Sequence, residues 1–177
     1  MKVLPFISID EEVELNLVIV MIVLWRHSIS AKGKYLVDFD KLQCFVYLMK
    51  NPARIEQVLK LVGKKTTKFE SRYTHTIESM SSNVDMLFDR SKLKSLLSRL
   101  ASLGFLGCYS SGGKEPLNYF LTESGEVFLN SFIVSDAEAS GYVSSLLEFS
   151  DGISSLQSLS VSKLNSLLNV IFKGESV

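Results

Sequence analysis

The sequence predicts a mainly α-helical fold that carries one small β wing. Leucines recur at steps of three and four residues from Leu93 to Leu103, which predicts a helix with one apolar face because the helical period is about 3.6 residues. Two short apolar runs, at residues 105–109 and 117–121, then flank a turn rich in Ser and Gly, as a β-hairpin requires. Thr122 follows as a natural N-cap for a further helix. Helix, hairpin and helix in this order are typical of the second half of a winged-helix domain.

The helix before the hairpin carries a start signal and a stop signal. Asp89 or Ser91 can cap its first free amides, and Gly104 supplies the left-handed conformation that commonly ends a helix. Gly125 weakens the first turn of the helix that follows the hairpin. The residues that we predict to face the core of this unit are Leu96, Leu97, Leu100, Phe105, Tyr119, Leu121, Val127, Phe128, Leu129 and Phe132.

Two further helices are predicted upstream. An apolar stripe from Phe39 to Met49 indicates a helix that stops before Pro52, because proline lacks the N–H that a helix needs. Pro52 can open the next helix, which Gly63 closes. Residues 28–38 form a connection with a short strand near residues 35–37. The two helices complete the helical half of the winged-helix domain.

The segment from residue 15 to residue 25 is almost entirely apolar. Acidic residues from Asp10 onward favour a helix start, since carboxylates complement the positive end of the helix dipole. β-branched side chains leave a buried strand as an alternative. The segment is too short for a membrane span, which needs about 20 apolar residues, and a secretory signal would begin basic. A helix that is apolar all round must be enclosed by its own domain or by an intermolecular interface.

We expect the chain to divide into three parts, so that helical extensions flank the winged-helix domain at both ends. Residues 1–34 form an N-terminal apolar helix and a connection, residues 35–133 form the winged-helix domain, and residues 134–177 form a C-terminal helical extension. The extension is rich in Leu and Ser and poor in charge, which predicts two or three amphipathic helices that close the domain or carry a partner groove. Breaks are expected at Gly152 and at residues 160–162.

The composition limits the function. Nineteen basic residues balance nineteen acidic ones, so no global positive field attracts nucleic acid, and any DNA contact must be local. The hydrophobic fraction of 46% indicates either apolar surface for a partner or a well-filled core. Cys44 and Cys108 have no CxxC spacing, which favours buried or half-buried thiols in a reducing compartment, and hence a cytoplasmic protein.

No pattern in the chain predicts catalysis. A phosphate-binding Gly-rich loop followed by Lys and Ser or Thr is missing. His27 and His75 have no His or Cys at helical spacing, which argues against a metal site. Histidines and carboxylates also show no acid/base spacing. We therefore expect no catalytic residue, no cofactor and no metal.

Basic residues cluster after Gly63 and around the predicted hairpin. Residues 64–83 combine lysines with Phe69 and Tyr73, a combination that can hold phosphates and stack on a base. A solvated basic loop is the alternative. The candidates for DNA or partner contact are Lys64, Lys65, Lys68, Arg72, Lys92, Lys94, Arg99 and Lys114.

Two kinds of resemblance follow from these residues. The run SLLSRLASLGFLGCYSSGGKEPLNYFLTESGEVFL resembles the leucine-rich helix, wing and helix start of winged-helix proteins. Residues 37–59 and 81–93 resemble the small middle components of ABC-three-component systems, in particular the Lamassu small subunit. The resemblance implies a non-enzymatic assembly subunit that bridges a coiled-coil ATPase of the structural-maintenance-of-chromosomes (SMC) type and a nuclease effector in anti-phage defence.

A second class of function stays open, because the winged-helix fold by itself fixes no chemistry. In a winged-helix DNA-binding transcriptional regulator, Lys92, Lys94, Arg99 and Lys114 would contact phosphates. The zero net charge argues against this class, since specific DNA-binding modules are usually basic. An assembly subunit would touch DNA only weakly, through its complex.

Overall fold

The computed structural model describes residues 13–66, 68–69, 90–139 and 142–174. Over these ranges the chain is mainly helical and contains a small two-stranded antiparallel sheet. In chain order the elements are α1 (Val13–His27), α2 (Phe39–Lys50), α3 (Pro52–Leu61), α4 (Arg90–Ser102), β1 (Leu106–Tyr109), β2 (Asn118–Leu121), α5 (Glu123–Ala139), α6 (Tyr142–Ser154) and α7 (Val161–Gly174).

The apolar segment near the amino end forms α1, and the strand alternative is wrong. Every side chain from Val18 to Leu24 is buried. The helix packs against α2, α4, α5, α6 and β2, so its own domain encloses it and no intermolecular interface is needed for that purpose. The predicted start at Asp10 lies outside the described residues. None of the helices in the described ranges is long and apolar enough to cross a membrane.

Helices α2 and α3 meet at the predicted boundary. Asp38 caps α2 by accepting a hydrogen bond from the N–H of Lys41 at 2.8 Å, a cap that was not predicted. Pro52 opens α3, and Gly63 follows its end with a φ of 67°, a left-handed conformation that glycine adopts without a steric penalty. Both predicted boundaries are confirmed.

The predicted helix and hairpin are also confirmed. Gly104 follows α4 with a φ of 75°, and the strands pair antiparallel with Leu106 opposite Leu121. Of the two predicted caps, Asp89 lies outside the described residues and Ser91 lies inside the helix. The predicted short strand at residues 35–37 is wrong, because this segment makes only isolated antiparallel bridges, at Tyr35 and at Asp38. It still lies beside β2, where the N–H of Tyr119 donates to the Val37 carbonyl at 2.8 Å.

The orientation of α5 differs from the prediction. Thr122 caps this helix as expected, since its hydroxyl oxygen accepts from the N–H of Gly125 at 3.2 Å. Only Leu129 of its four predicted core residues is buried, while Val127, Phe128 and Phe132 are exposed. The reason is Gly125, whose Cβ, if it had one, would lie 2.9 Å from the Phe105 carbonyl oxygen. The helix therefore approaches the hairpin through its glycine and turns its larger side chains outward.

The remaining predicted core residues divide between the interior and its edge. Leu97, Leu100 and Leu121 are buried. Leu96, Phe105 and Tyr119 are partly buried and pack against the same core. The face of α4 that carries its leucines is therefore assigned correctly up to Leu100, whereas Leu103 is exposed.

The C-terminal helices close the domain. Helix α6 packs against α1, α2, α3 and α5, and α7 packs against α2 and α3. Of the predicted break at residues 160–162, only Ser160 lies outside a helix, since α7 begins at Val161. The Ser160 carbonyl oxygen accepts from the N–H of Leu164 at 3.0 Å. The predicted break at Gly152 is wrong, because this glycine lies inside α6 and is buried there. The division of the chain into three parts stays a prediction.

Candidate interaction surfaces

One side of α5 is exposed and largely apolar. Val127 and Phe128 are 66% and 46% exposed, and side chains three, four and seven positions apart share a helix face. Glu123 lies at the edge of this face. We name it the α5 outer face. Its side chains are Ser124, Val127, Phe128, Ser131, Phe132, Val134 and Ser135.

The turn before the hairpin extends this apolar surface. The ring of Phe128 stacks on that of Phe105, with 5.0 Å between ring centroids and 26° between the planes. The Thr122 hydroxyl donates to the Gly104 carbonyl at 2.7 Å, which holds the turn against the start of α5. Leu103, in the same turn, is exposed. An exposed apolar surface of this kind marks interaction sites on soluble proteins.

Helix α4 presents a basic outer surface. Lys92, Lys94 and Arg99 are exposed, and the helix contains no acidic residue. Arg90, at its first position, forms a salt bridge with Asp40 and lies over the ring of Phe39, so its charge is used within the fold. Lys114 is exposed in the turn between β1 and β2.

The basic segment after α3 differs from the prediction, because two of its side chains contact the rest of the fold. The Lys64 ammonium donates to the Ser155 carbonyl, which connects this segment to the end of α6. Phe69 is buried and packs edge-on against Phe149, with ring centroids 5.1 Å apart. Phe69 cannot stack on a base from this position, and that part of the prediction is wrong. Lys65 and Lys68 are exposed, and the predicted contacts Arg72 and Tyr73 lie outside the described residues.

Comparison with known proteins identifies the family. Residues 27–166 match the family model described as ABC-three component (ABC-3C) system Middle Component 4, which is more than half of the 177 residues. The chain belongs to this family. No curated protein and no solved structure matches the chain. A middle component is one member of a multi-component system, in which the family suggests an adaptor, so the predicted resemblance to middle components is confirmed at this level.

The middle component also contains a buried polar network that the sequence did not indicate. His27 shares a hydrogen bond between Nε2 and the Ser150 hydroxyl at 2.9 Å. The Gln157 amide donates to the His27 carbonyl at 3.0 Å, and the Lys41 ammonium donates to the Gln157 carbonyl at 2.6 Å. Burial lowers the pKa of His27 to about 4, against the opposing effect of the hydrogen bond with Ser150. The network joins α1, α2 and α6 to the turn before α7.

The two cysteines of the middle component differ. Cys44 is buried, and its Sγ donates to the Asn165 side-chain oxygen at 3.4 Å. Burial raises the pKa of its thiol to about 12. Cys108 is exposed, which corrects the expectation of a half-buried thiol, although partial desolvation still raises its pKa. Within the described ranges, no group of three His, Cys, Asp or Glu side chains is placed to hold a metal ion.

Proposed function

We propose that this middle component is a non-enzymatic adaptor that bridges a coiled-coil SMC-type ATPase and a nuclease effector in an anti-phage and anti-plasmid defence complex of the Lamassu kind. Family membership supports the adaptor role. The observation that carries the proposal is the α5 outer face, which leaves Phe128 and Phe132 exposed on a domain that already has a large core. Side chains of this type usually become buried against another protein.

The arrangement around the hairpin supports a winged-helix domain as the framework of this adaptor. Helix α4 leads directly into β1 and β2. The second strand pairs with β1 on one side and with the segment at Val37 on the other. Helices α2 and α3 supply the helical half. This framework fixes the position of α5, because Thr122 both caps α5 and holds the turn at Gly104.

We assign the α5 outer face to the ATPase subunit. The face combines large apolar groups with serines, and the buried centre of a protein–protein interface is enriched in aromatic side chains and depleted in charged ones. Burial of apolar surface stabilises by roughly 25 cal/mol per Å², so a contact of a few hundred Å² favours association by several kcal/mol before the ordering costs.

The basic surface of α4 supports a weak, local DNA contact within the assembled complex. Lys92, Lys94 and Arg99 carry no acidic neighbour on their helix, and phosphate contacts of this kind give salt-dependent binding without sequence preference. The same surface favours the second candidate function, a winged-helix transcriptional regulator. Nanomolar, sequence-specific duplex binding by the purified chain alone would favour the regulator over the adaptor.

A matched pair of valines tests the assignment. The tagged chain is co-expressed with the products of its neighbouring genes, and the amounts of co-purified subunits are measured. Val127→Glu places a charge on the α5 outer face, where the parent side chain is 66% exposed, and we expect it to lose the ATPase. Val170→Glu is the control, because Val170 is an exposed valine on α7. Retention of the ATPase by Val127→Glu would refute the assignment. Loss of the nuclease alone would show that the α5 outer face binds the effector.

A further inference from the structure

Three aromatic rings form a cluster on the outer surface of the hairpin. The rings of Tyr35 and Tyr109 are stacked, with centroids 4.4 Å apart and 19° between their planes. Phe120 lies 5.1 Å from Tyr35. Its ring covers the backbone of Gly107, where a Cβ would come within 2.3 Å of the Phe120 ring. Tyr109 is 44% exposed, so the cluster offers an aromatic surface to solvent. We name these three rings the wing aromatic cluster.

A fixed turn places lysines beside this cluster. Ile29 pairs with Tyr35 across an antiparallel bridge. The turn between them is closed by two hydrogen bonds, from the Ser30 N–H to the Lys34 carbonyl at 2.9 Å and from the Lys34 N–H to the Ser30 hydroxyl at 3.0 Å. Lys32 and Lys34 are exposed on this turn. Lys114 lies on the turn of the hairpin that carries Tyr109.

The acidic groups of the same region are engaged locally. Asp38 accepts a hydrogen bond from the N–H of Lys41 as the cap of α2. Glu115 accepts a hydrogen bond from the Ser111 hydroxyl. Among the described residues named here, three exposed lysines outnumber the two carboxylates, which keep their charge because their hydrogen-bond donors are neutral, so the local net charge is slightly positive. This charge is complementary to a polyanion, although the whole chain is neutral.

We infer that the wing aromatic cluster binds single-stranded nucleic acid. An unpaired base stacks on the exposed ring of Tyr109, and Lys32, Lys34 and Lys114 contact the flanking phosphates. Aromatic rings beside basic side chains are the usual elements of single-strand binding, since every unpaired base has a face that can stack. A paired base offers no such face, so the cluster favours a single strand over a duplex. This site goes beyond the adaptor role and does not depend on it.

Fluorescence anisotropy of a labelled oligothymidine with the purified full-length chain at low salt tests the inference. Tyr109→Ser removes the ring, and we expect its Kd to rise about tenfold or more. Tyr109→Phe keeps the ring and retains binding. Lys34→Gln weakens binding and lowers the salt slope by about one. Leu117→Ser is the matched control, because Leu117 is an exposed side chain of the same hairpin turn that lies outside the cluster.

Several outcomes would overturn the inference. They are an unchanged Kd for Tyr109→Ser, equal affinity for a duplex of the same length, or no binding by the parent chain. If the parent binds no single strand and Tyr109→Ser loses a co-purified protein subunit, the wing aromatic cluster binds a protein instead. Unchanged thermal melting confirms that the variant is folded. If Tyr109→Ser unfolds, the test uses a double variant, Lys32→Gln with Lys34→Gln, in which both changed side chains are exposed. The inference requires this double variant to bind the oligothymidine more weakly than the parent.

Discussion

The ring of Phe69 fills the space that the missing side chain of Gly152 leaves in α6. A Cβ at Gly152 would lie 2.8 Å from Phe69 Cζ and 3.3 Å from Ile55 Cγ2. The backbone N–H of Phe69 donates to the Glu56 carboxylate at 3.0 Å. The segment after α3 is therefore fixed between α3 and α6, and a glycine within a helix has a packing role there.

Gly152→Ala should destabilise the protein in spite of the better helix propensity of alanine. Propensity favours the change by roughly 0.5–1 kcal/mol, but overpacking a buried contact costs about 1–3 kcal/mol. The difference between these two effects predicts that the free energy of unfolding, measured by urea denaturation, falls by about 1 kcal/mol. Gly174→Ala is the control, because a Cβ at Gly174 meets no atom within 4 Å. A stability gain for Gly152→Ala would contradict the packing account.

Leu100 and Leu103 lie three positions apart in the sequence, and the effect of an alanine substitution on stability can be compared between them. Leu100 is 1% exposed and Leu103 is 53% exposed. Leu100→Ala should lower the free energy of unfolding by about 2–5 kcal/mol, because it leaves a cavity. Leu103→Ala should change it by less than about 1 kcal/mol. Equal melting temperatures for Leu100→Ala and the parent would show that the buried face of α4 is assigned wrongly.

Stability should fall in mild acid through His27. Its pKa is lowered from 6.5 to about 4 in the fold because burial disfavours the charged ring. Above pH 6.5 both the folded and the unfolded states hold a neutral ring, so the group has no effect there. Between pH 6.5 and 4 the unfolded state gains the proton first, and the free energy of unfolding falls by up to about 1.4 kcal/mol per pH unit.

His27→Gln should reduce this dependence on pH. Glutamine does not titrate and can still bond to the Ser150 hydroxyl, which His27 contacts at 2.9 Å. We expect a lower stability at pH 7 but a flatter profile between pH 6.5 and 5, measured by urea denaturation at each pH. Parallel profiles for the parent and His27→Gln would contradict the burial of a neutral imidazole.

The two thiols should react at very different rates. Cys108 is exposed, whereas burial raises the pKa of Cys44 to about 12, and the thiolate is the reactive form. A thiol reagent should therefore label one cysteine quickly in the native protein and the second only on unfolding. Cys108→Ser should abolish the fast phase, and Cys44→Ser should abolish the slow phase. Two fast phases in the native protein would contradict the position of Cys44.

The sequence alone predicts those elements whose boundaries are set by residues next to them in the chain. Gly104 and Thr122 mark the ends of the hairpin unit, and each residue acts through the backbone next to it. The confirmed boundaries of α2 and α3 likewise depend on Pro52 and Gly63. In these cases the residues that set the structure are close together in the sequence, so the pattern alone predicts it.

The wrong predictions depend on contacts between distant residues. Helix α5 has apolar residues on more than one side, so periodicity could not select the face that Gly125 brings against the Phe105 carbonyl. Lys64 bonds to a carbonyl 91 residues later in the chain, and Phe69 packs on Gly152. No local pattern distinguishes such residues from those of a solvated basic loop or of a strand-binding segment, so the sequence leaves both alternatives open and neither of them places Phe69 in the core.

The mass of the native assembly tests the adaptor function most directly. Size-exclusion chromatography with light scattering is applied to the chain alone and to the chain co-expressed with its neighbouring gene products. We expect the chain, 19.8 kDa by itself, to elute with both the ATPase and the nuclease in one complex of fixed stoichiometry. The Val127→Glu variant should lose the ATPase while the Val170→Glu control keeps it. A chain that elutes as a well-behaved monomer in the presence of all its neighbours would contradict the adaptor function.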